Sequence, residues 1–68
     1  MKLKFIGTTS EDGNCPTLYD ILDDTERCVV QGDILDDPEA LAQLRDVGSN
    51  ETFVIIPKAL LVRFAPKE

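Results

Sequence analysis

The sequence predicts a small α+β domain: a mainly antiparallel sheet of three to four strands, with a helix over residues 38–47 packed on one face. Three observations carry that prediction. Two short runs of strand-favouring residues, 17–22 and 27–31, are separated by Asp23-Asp24-Thr25-Glu26, a polar loop of hairpin length. Asp37-Pro38-Glu39 is a strong helix start. Phe53-Val54-Ile55-Ile56 is a late apolar run that suits a strand.

Taken in order, Lys2-Leu3-Lys4-Phe5-Ile6 alternates polar with apolar, the period-two signature of a half-buried strand. Residues 7–14 read as a loop, with turn chemistry at Asp12-Gly13-Asn14 because Gly and Asn accept positive φ at little cost. Pro16 has no N–H for a ladder, so the following strand begins at Thr17. With the hairpin loop at Asp24-Thr25, Tyr19 faces Val30 and Ile21 faces Cys28; a one-residue slip shifts each partner by one.

For the helix, Asp37 is a cap, Pro38 suits the first position where a missing N–H costs nothing, and Glu39 complements the positive end of the dipole. Ala40, Leu41, Leu44 and Val47 follow at helical spacing, and Gly48 takes the terminating position. Residues 51–56 form a strand whose consecutive apolar side chains imply burial on both faces. Residues 57–64 have two readings. Pro57 can open a helix with Leu60, Leu61 and Phe64 on its inner side, or Leu60, Val62 and Phe64 can alternate as strand; Pro57 in a ladder favours the helix.

Size limits what such a chain does. For 68 residues and 7.5 kDa, area scaling leaves ~4,200 Å² exposed on folding, against ~10,900 Å² unfolded. That excludes a two-domain enzyme, a nucleotide fold with long crossovers and a deep internal cavity. With 43% hydrophobic and 29% charged residues, the chain belongs with folded domains and not with disordered ones. It is expected to be a single domain. The basic start Met1-Lys2 leads into an apolar run that ends at Thr8, too short for a signal peptide or a membrane span, so a cytoplasmic location is expected.

The net charge of −6 is unevenly spread. Residues 11–51 hold twelve acids and two bases, while both ends are basic. Such a field repels phosphate backbones, so direct nucleic-acid binding is not expected; it speeds encounter with a basic protein. The competing reading is that the acids only keep a small domain soluble. The carboxylates singled out for a partner-binding acidic face are Asp20, Asp23, Asp24, Asp33, Asp36 and Asp37. Ten of the thirteen residues from 53 to 65 are apolar, which makes Phe53, Ile55, Leu60, Leu61 and Phe64 the candidate apolar interface, for a homodimer or a partner; the alternative is that they are core.

Chemistry is thin. The chain has no His, which excludes a Ser-His or Cys-His pair within it. Cys15 and Cys28 lie out of register in the expected hairpin, too far apart for a bridge, and read as two buried or half-buried free thiols. Cys15 follows Gly13-Asn14 in a loop, but acids around it raise a thiol pKa where a nucleophile needs it lowered, so no enzyme activity and no catalytic residue is expected. The Asp clusters lack the alternation of an EF-hand loop, and no metal or cofactor is expected; a sensor of a divalent metal or small ligand using those clusters is the alternative function. The glycines follow no phosphate-binding spacing.

The order of features carries a resemblance. Phe5-Ile6-Gly7-Thr8-Thr9-Ser10, Gly13-Asn14-Cys15-Pro16-Thr17-Leu18-Tyr19, Val29-Val30-Gln31-Gly32, Asp37-Pro38-Glu39-Ala40-Leu41 and Ile56-Pro57-Lys58-Ala59-Leu60-Leu61 together resemble a group of short uncharacterised actinobacterial proteins. Asp33 departs from that pattern, which leads one to expect an aromatic after Gln31-Gly32. More distantly, the layout resembles the BldB-type small developmental regulators, with their Gly-Asn-Cys element, valine-rich strand and late strand running into a Pro-started helix. That resemblance implies an antitoxin-like regulator that contacts a helix-turn-helix protein and does not touch DNA itself. Ile56-Pro57-Lys58-Ala59-Leu60 is also similar to swapped-hairpin DNA-binding antitoxins, a role that the acidic surroundings disfavour. The function expected is therefore a small acidic interaction module that regulates a basic partner.

Overall fold

A computed structural model describes residues 1–10 and 16–64. Its main sheet has the antiparallel order β1-β2-β3, from β1 (Leu3–Thr8), β2 (Thr17–Ile21) and β3 (Cys28–Gln31). A second ladder pairs β4 (Asp33–Ile34) with β5 (Val54–Ile55). Two helices, α1 (Pro38–Leu41) and α2 (Lys58–Phe64), complete the α+β fold that the sequence predicts.

The first strand runs two residues beyond its alternating stretch because the ladder continues past a bulge at Ile6, with Gly7 opposite Leu18 and Thr8 opposite Thr17. Gly7 is required there by contact. A Cβ at that position would overlap the ring of Phe64, which lies against the strand from α2. Nearby, the Thr8 hydroxyl donates to the Pro16 carbonyl at 2.7 Å and ties the end of β1 to the start of β2.

The hairpin forms, with a register one residue away from the one expected. Tyr19 faces Val29 instead of Val30, and Cys28 faces Asp20 instead of Ile21. The centre of the turn is Asp24 itself. Its N–H donates to Ile21 O, while its Oδ1 accepts from the N–H groups of Glu26 (2.8 Å) and Arg27 (3.1 Å) and its Oδ2 accepts from Arg27 Nε. One carboxylate thus satisfies the donors of a longer loop than Asp24-Thr25 alone would close.

The helix expected over 38–47 stops after one turn. Its start is as read: Asp37 Oδ1 accepts from Glu39 N (2.9 Å) and Ala40 N (3.4 Å), with Pro38 in the first turn. Beyond Leu41 the backbone tightens, Gln43 N donating to Ala40 O and Leu44 N to Leu41 O, while the Gln43 side-chain amide occupies the Glu39 carbonyl. Asp46 then takes a left-handed conformation at φ 56°. Gly48 does not terminate a helix; it closes a turn with Glu51, whose carboxylate accepts from its N–H. The physical reason is a missing partner. α1 buries no residue, and Leu41, Leu44 and Val47 are exposed, so a ten-residue segment would have to be helical on propensity alone, below the length at which isolated helices persist.

Residues 51–56 are likewise not a strand buried on both faces. Only Val54 and Ile55 pair, with Ile34 and Asp33, and both are exposed. α2 settles the ambiguity over 57–64 in favour of helix, and it, not α1, packs on the main sheet, against β1 and β2. The core is small: Leu18, Ile21 and the fully buried Leu60 are the buried apolar side chains among the described residues. The accessible surface is 5972 Å², about 1,700 Å² above the scaling value for this mass, and the radius of gyration is 13.5 Å against ~11 Å for a compact chain of this length. Outside that core many large apolar side chains stay exposed, Met1, Val62 and Ile34 most of all.

Candidate functional site

Each acidic residue singled out from the sequence has a definite place. Asp20 is on β2, and Asp23 and Asp24 are in the loop that leads to β3. Asp33 is on β4, Asp36 follows it, and Asp37 caps α1. Strand β3 runs between the two groups, and its four residues span ~13 Å. Along the chain the six carboxylates therefore divide into three that precede β3 and three that follow it. Two of the six serve the fold: Asp24 organises the hairpin loop and Asp37 the helix start. Asp20, Asp23, Asp33 and Asp36 are exposed, and the ion pair between Asp24 and Arg27 is the single one among the described residues.

The Asp24 carboxyl titrates below the ordinary aspartate range. The hydrogen bond from the Glu26 N–H is the largest cause, followed by that from the Arg27 side chain. Both favour the charged form.

Asp20 and Asp24 border an open groove of about 600 Å³. Leu18, Ile21 and Phe64 form part of its apolar lining; Lys4, Asp20 and Arg27 bring charge to it. Lys4 and Asp20 are cross-strand partners, and Cys28 is the next partner along the same row. Cys28 is an exposed free thiol, where a buried or half-buried one was expected, because the register shift brings it opposite Asp20 near the start of an edge strand. Cys15 lies outside the described residues, as do the turn at Asp12-Gly13-Asn14 and the last four residues.

The apolar candidates divide. Leu60 is 0% exposed and belongs to the core, so it forms no interface. Phe53 is half-buried, and Phe64 is half-buried over Gly7. Ile55 and Leu61 are exposed, Leu61 at 55% although it adjoins Leu60, because α2 turns only one side to the sheet. Sequence reading missed two features. Ile34, flanked by Asp33 and Asp36, is 73% exposed. Phe5 and Tyr19 form a cross-strand pair with ring centroids 6.3 Å apart and planes at 78°, an edge-to-face contact that the alternation in Lys2–Ile6 could have indicated once paired with β2.

Among the described residues, no three His, Cys, Asp or Glu side chains form a group that could hold a metal ion. No helix of the described residues is long and apolar enough to cross a membrane. Set against protein-family models, curated proteins and solved structures, the chain matches none.

Proposed function

We propose that this chain is a small interaction module that docks on a basic protein, of the helix-turn-helix kind that the resemblance implies, and regulates it by contact in an antitoxin-like manner. The observation that supports this reading is that Asp20, Asp23, Asp33 and Asp36 stand exposed and outside the Asp24–Arg27 pair. Their charge is available to a partner. An exposed ion pair contributes only about 0.2–1 kcal/mol, so these carboxylates chiefly raise the encounter rate and fix orientation. Affinity has to come from apolar contact, and Ile34 between Asp33 and Asp36 has the arrangement of an anchor with a charged rim.

The test is binding of a purified helix-turn-helix protein encoded beside this chain, measured at low and high salt. The complex is expected to weaken as salt rises, and a variant carrying Asp20→Asn, Asp23→Asn, Asp33→Asn and Asp36→Asn is expected to bind at least about fivefold more weakly. A complex indifferent both to salt and to those four substitutions, or no complex at all, defeats the proposal.

A further inference from the structure

We infer that residues 38–47 are a recognition segment that becomes one continuous helix on docking against an apolar, cation-rimmed face of a basic protein, with the single turn of α1 as its nucleus. The inference rests on the reading of the chain as a module for a basic partner, and it names the part that folds on that partner. In the free chain the segment has helical spacing without helical length. Ala40, Leu44 and Val47 fall at i, i+4 and i+7, with Leu41 beside them, the anchor pattern of an amphipathic helix that lies against a partner. Every residue from 41 to 52 is exposed, Leu41 at 39%, Leu44 at 38% and Val47 at 47%, so the fold itself buries none of these three anchors.

The backbone stands close to helix. Asp37 and Pro38 have already started it, so extension adds residues without the cost of a new nucleus. Two bonds are one residue out of helical register. Gln43 N donates to Ala40 O at 3.0 Å and Leu44 N to Leu41 O at 3.3 Å, where an α-helix sends them to Glu39 O and Ala40 O. Meanwhile the Gln43 side-chain amide holds the Glu39 carbonyl at 3.1 Å. Asp46, at φ 56°, lies in the left-handed region that residues other than glycine adopt at a cost. Extension gives the Glu39 carbonyl to the Gln43 backbone N–H and releases Asp46 from that conformation.

Charge names the occupant. Residues 33–51 carry six acids against Arg45 alone. In the extended helix Glu39, Gln43 and Asp46 form the row beside Val47, which gives the apolar stripe an acidic edge. A basic protein with an apolar face complements both features. A second copy of this chain brings the same sign to the contact and is repelled.

The experiment uses the full chain, isotope-labelled, with an unlabelled three-heptad amphipathic peptide of Leu and Lys as the basic probe and a Leu and Glu peptide of the same pattern as control. Cα chemical shifts read the helix residue by residue. The Leu/Lys peptide is expected to move residues 42–47 to helical values, and the Leu/Glu peptide to leave them unchanged. Asp46→Ala and Asp46→Gly remove the same charge, so their difference is conformational. Gly suits the left-handed free form and Ala the helix, so the Ala variant is expected to bind the Leu/Lys peptide at least about fivefold more tightly than the Gly variant. No binding of the Leu/Lys peptide up to ~1 mM, binding that leaves residues 42–47 non-helical, equal affinity of the two Asp46 variants, or helix induced equally by the Leu/Glu peptide overturns the inference. A complex with the neighbouring helix-turn-helix protein that forms without helix over residues 42–47 leaves the module reading standing and overturns this one. Helix induced by the Leu/Lys peptide with no such complex does the reverse.

Discussion

Leu60→Ala is the substitution that most directly tests whether the C-terminal segment is core or interface. Leu60 is 0% exposed, the most deeply buried side chain of the described residues. Truncating a leucine at such a site removes its transfer free energy and leaves a cavity, together about 2–5 kcal/mol. Global stability for a chain of 68 residues is ~3–10 kcal/mol, and a core this small puts it towards the lower end. The variant should therefore lose half or more of its stability, a fall of about 15–35 °C in Tm or unfolding outright at room temperature. Urea unfolding followed by far-UV circular dichroism measures this. Leu61→Ala, one residue along at 55% exposure, should stay within about 0.5 kcal/mol of the parent. Equal losses at the two positions, or a loss below 1 kcal/mol at Leu60, would refute the packing of α2 described above.

Two further outcomes follow from the hairpin and from the β1–α2 contact. The folded-state pKa of Asp24 is depressed below the ordinary 3.8, so its contribution to stability is present above that value and lost as pH falls through the lower, folded pKa. Asp24→Asn should be less stable than the parent at neutral pH, with the gap between their urea midpoints closing in acid below 3.8. Gly7→Ala should cost about 1–3 kcal/mol, because the new methyl overlaps the Phe64 ring, and Phe64→Leu should recover part of that loss in the double variant.

Legibility differed from element to element for physical reasons. The start of α1 could be read because a cap is local chemistry: Asp37, Pro38 and Glu39 suffice to write it. Its length could not, because helical persistence depends on something covering Leu41, Leu44 and Val47, and nothing in those residues says whether the rest of the chain will do so. The hairpin was visible in its two runs, but its register rests on which loop donors the Asp24 carboxylate satisfies, and several neighbouring residues offer the same chemistry. Strand β4 left no local trace. Asp33-Ile34 becomes strand only by pairing with residues 54–55, some twenty positions away. The acids were obvious as residues; their separation by β3 came only with the order of the strands.

The β4–β5 ladder joins only two residues to two, extended by one bond from Leu35 N to Phe53 O, yet it closes everything between them into a loop. The closure entropy of such a loop grows slowly, by ~0.6 kcal/mol for each doubling of its length. With α1 burying no residue and the turn at residues 48–51 exposed, extra sequence inserted at Ser49-Asn50 displaces nothing packed. That turn is the natural place to splice in an epitope or a fluorophore handle, leaving the hairpin, α2 and both termini as they are.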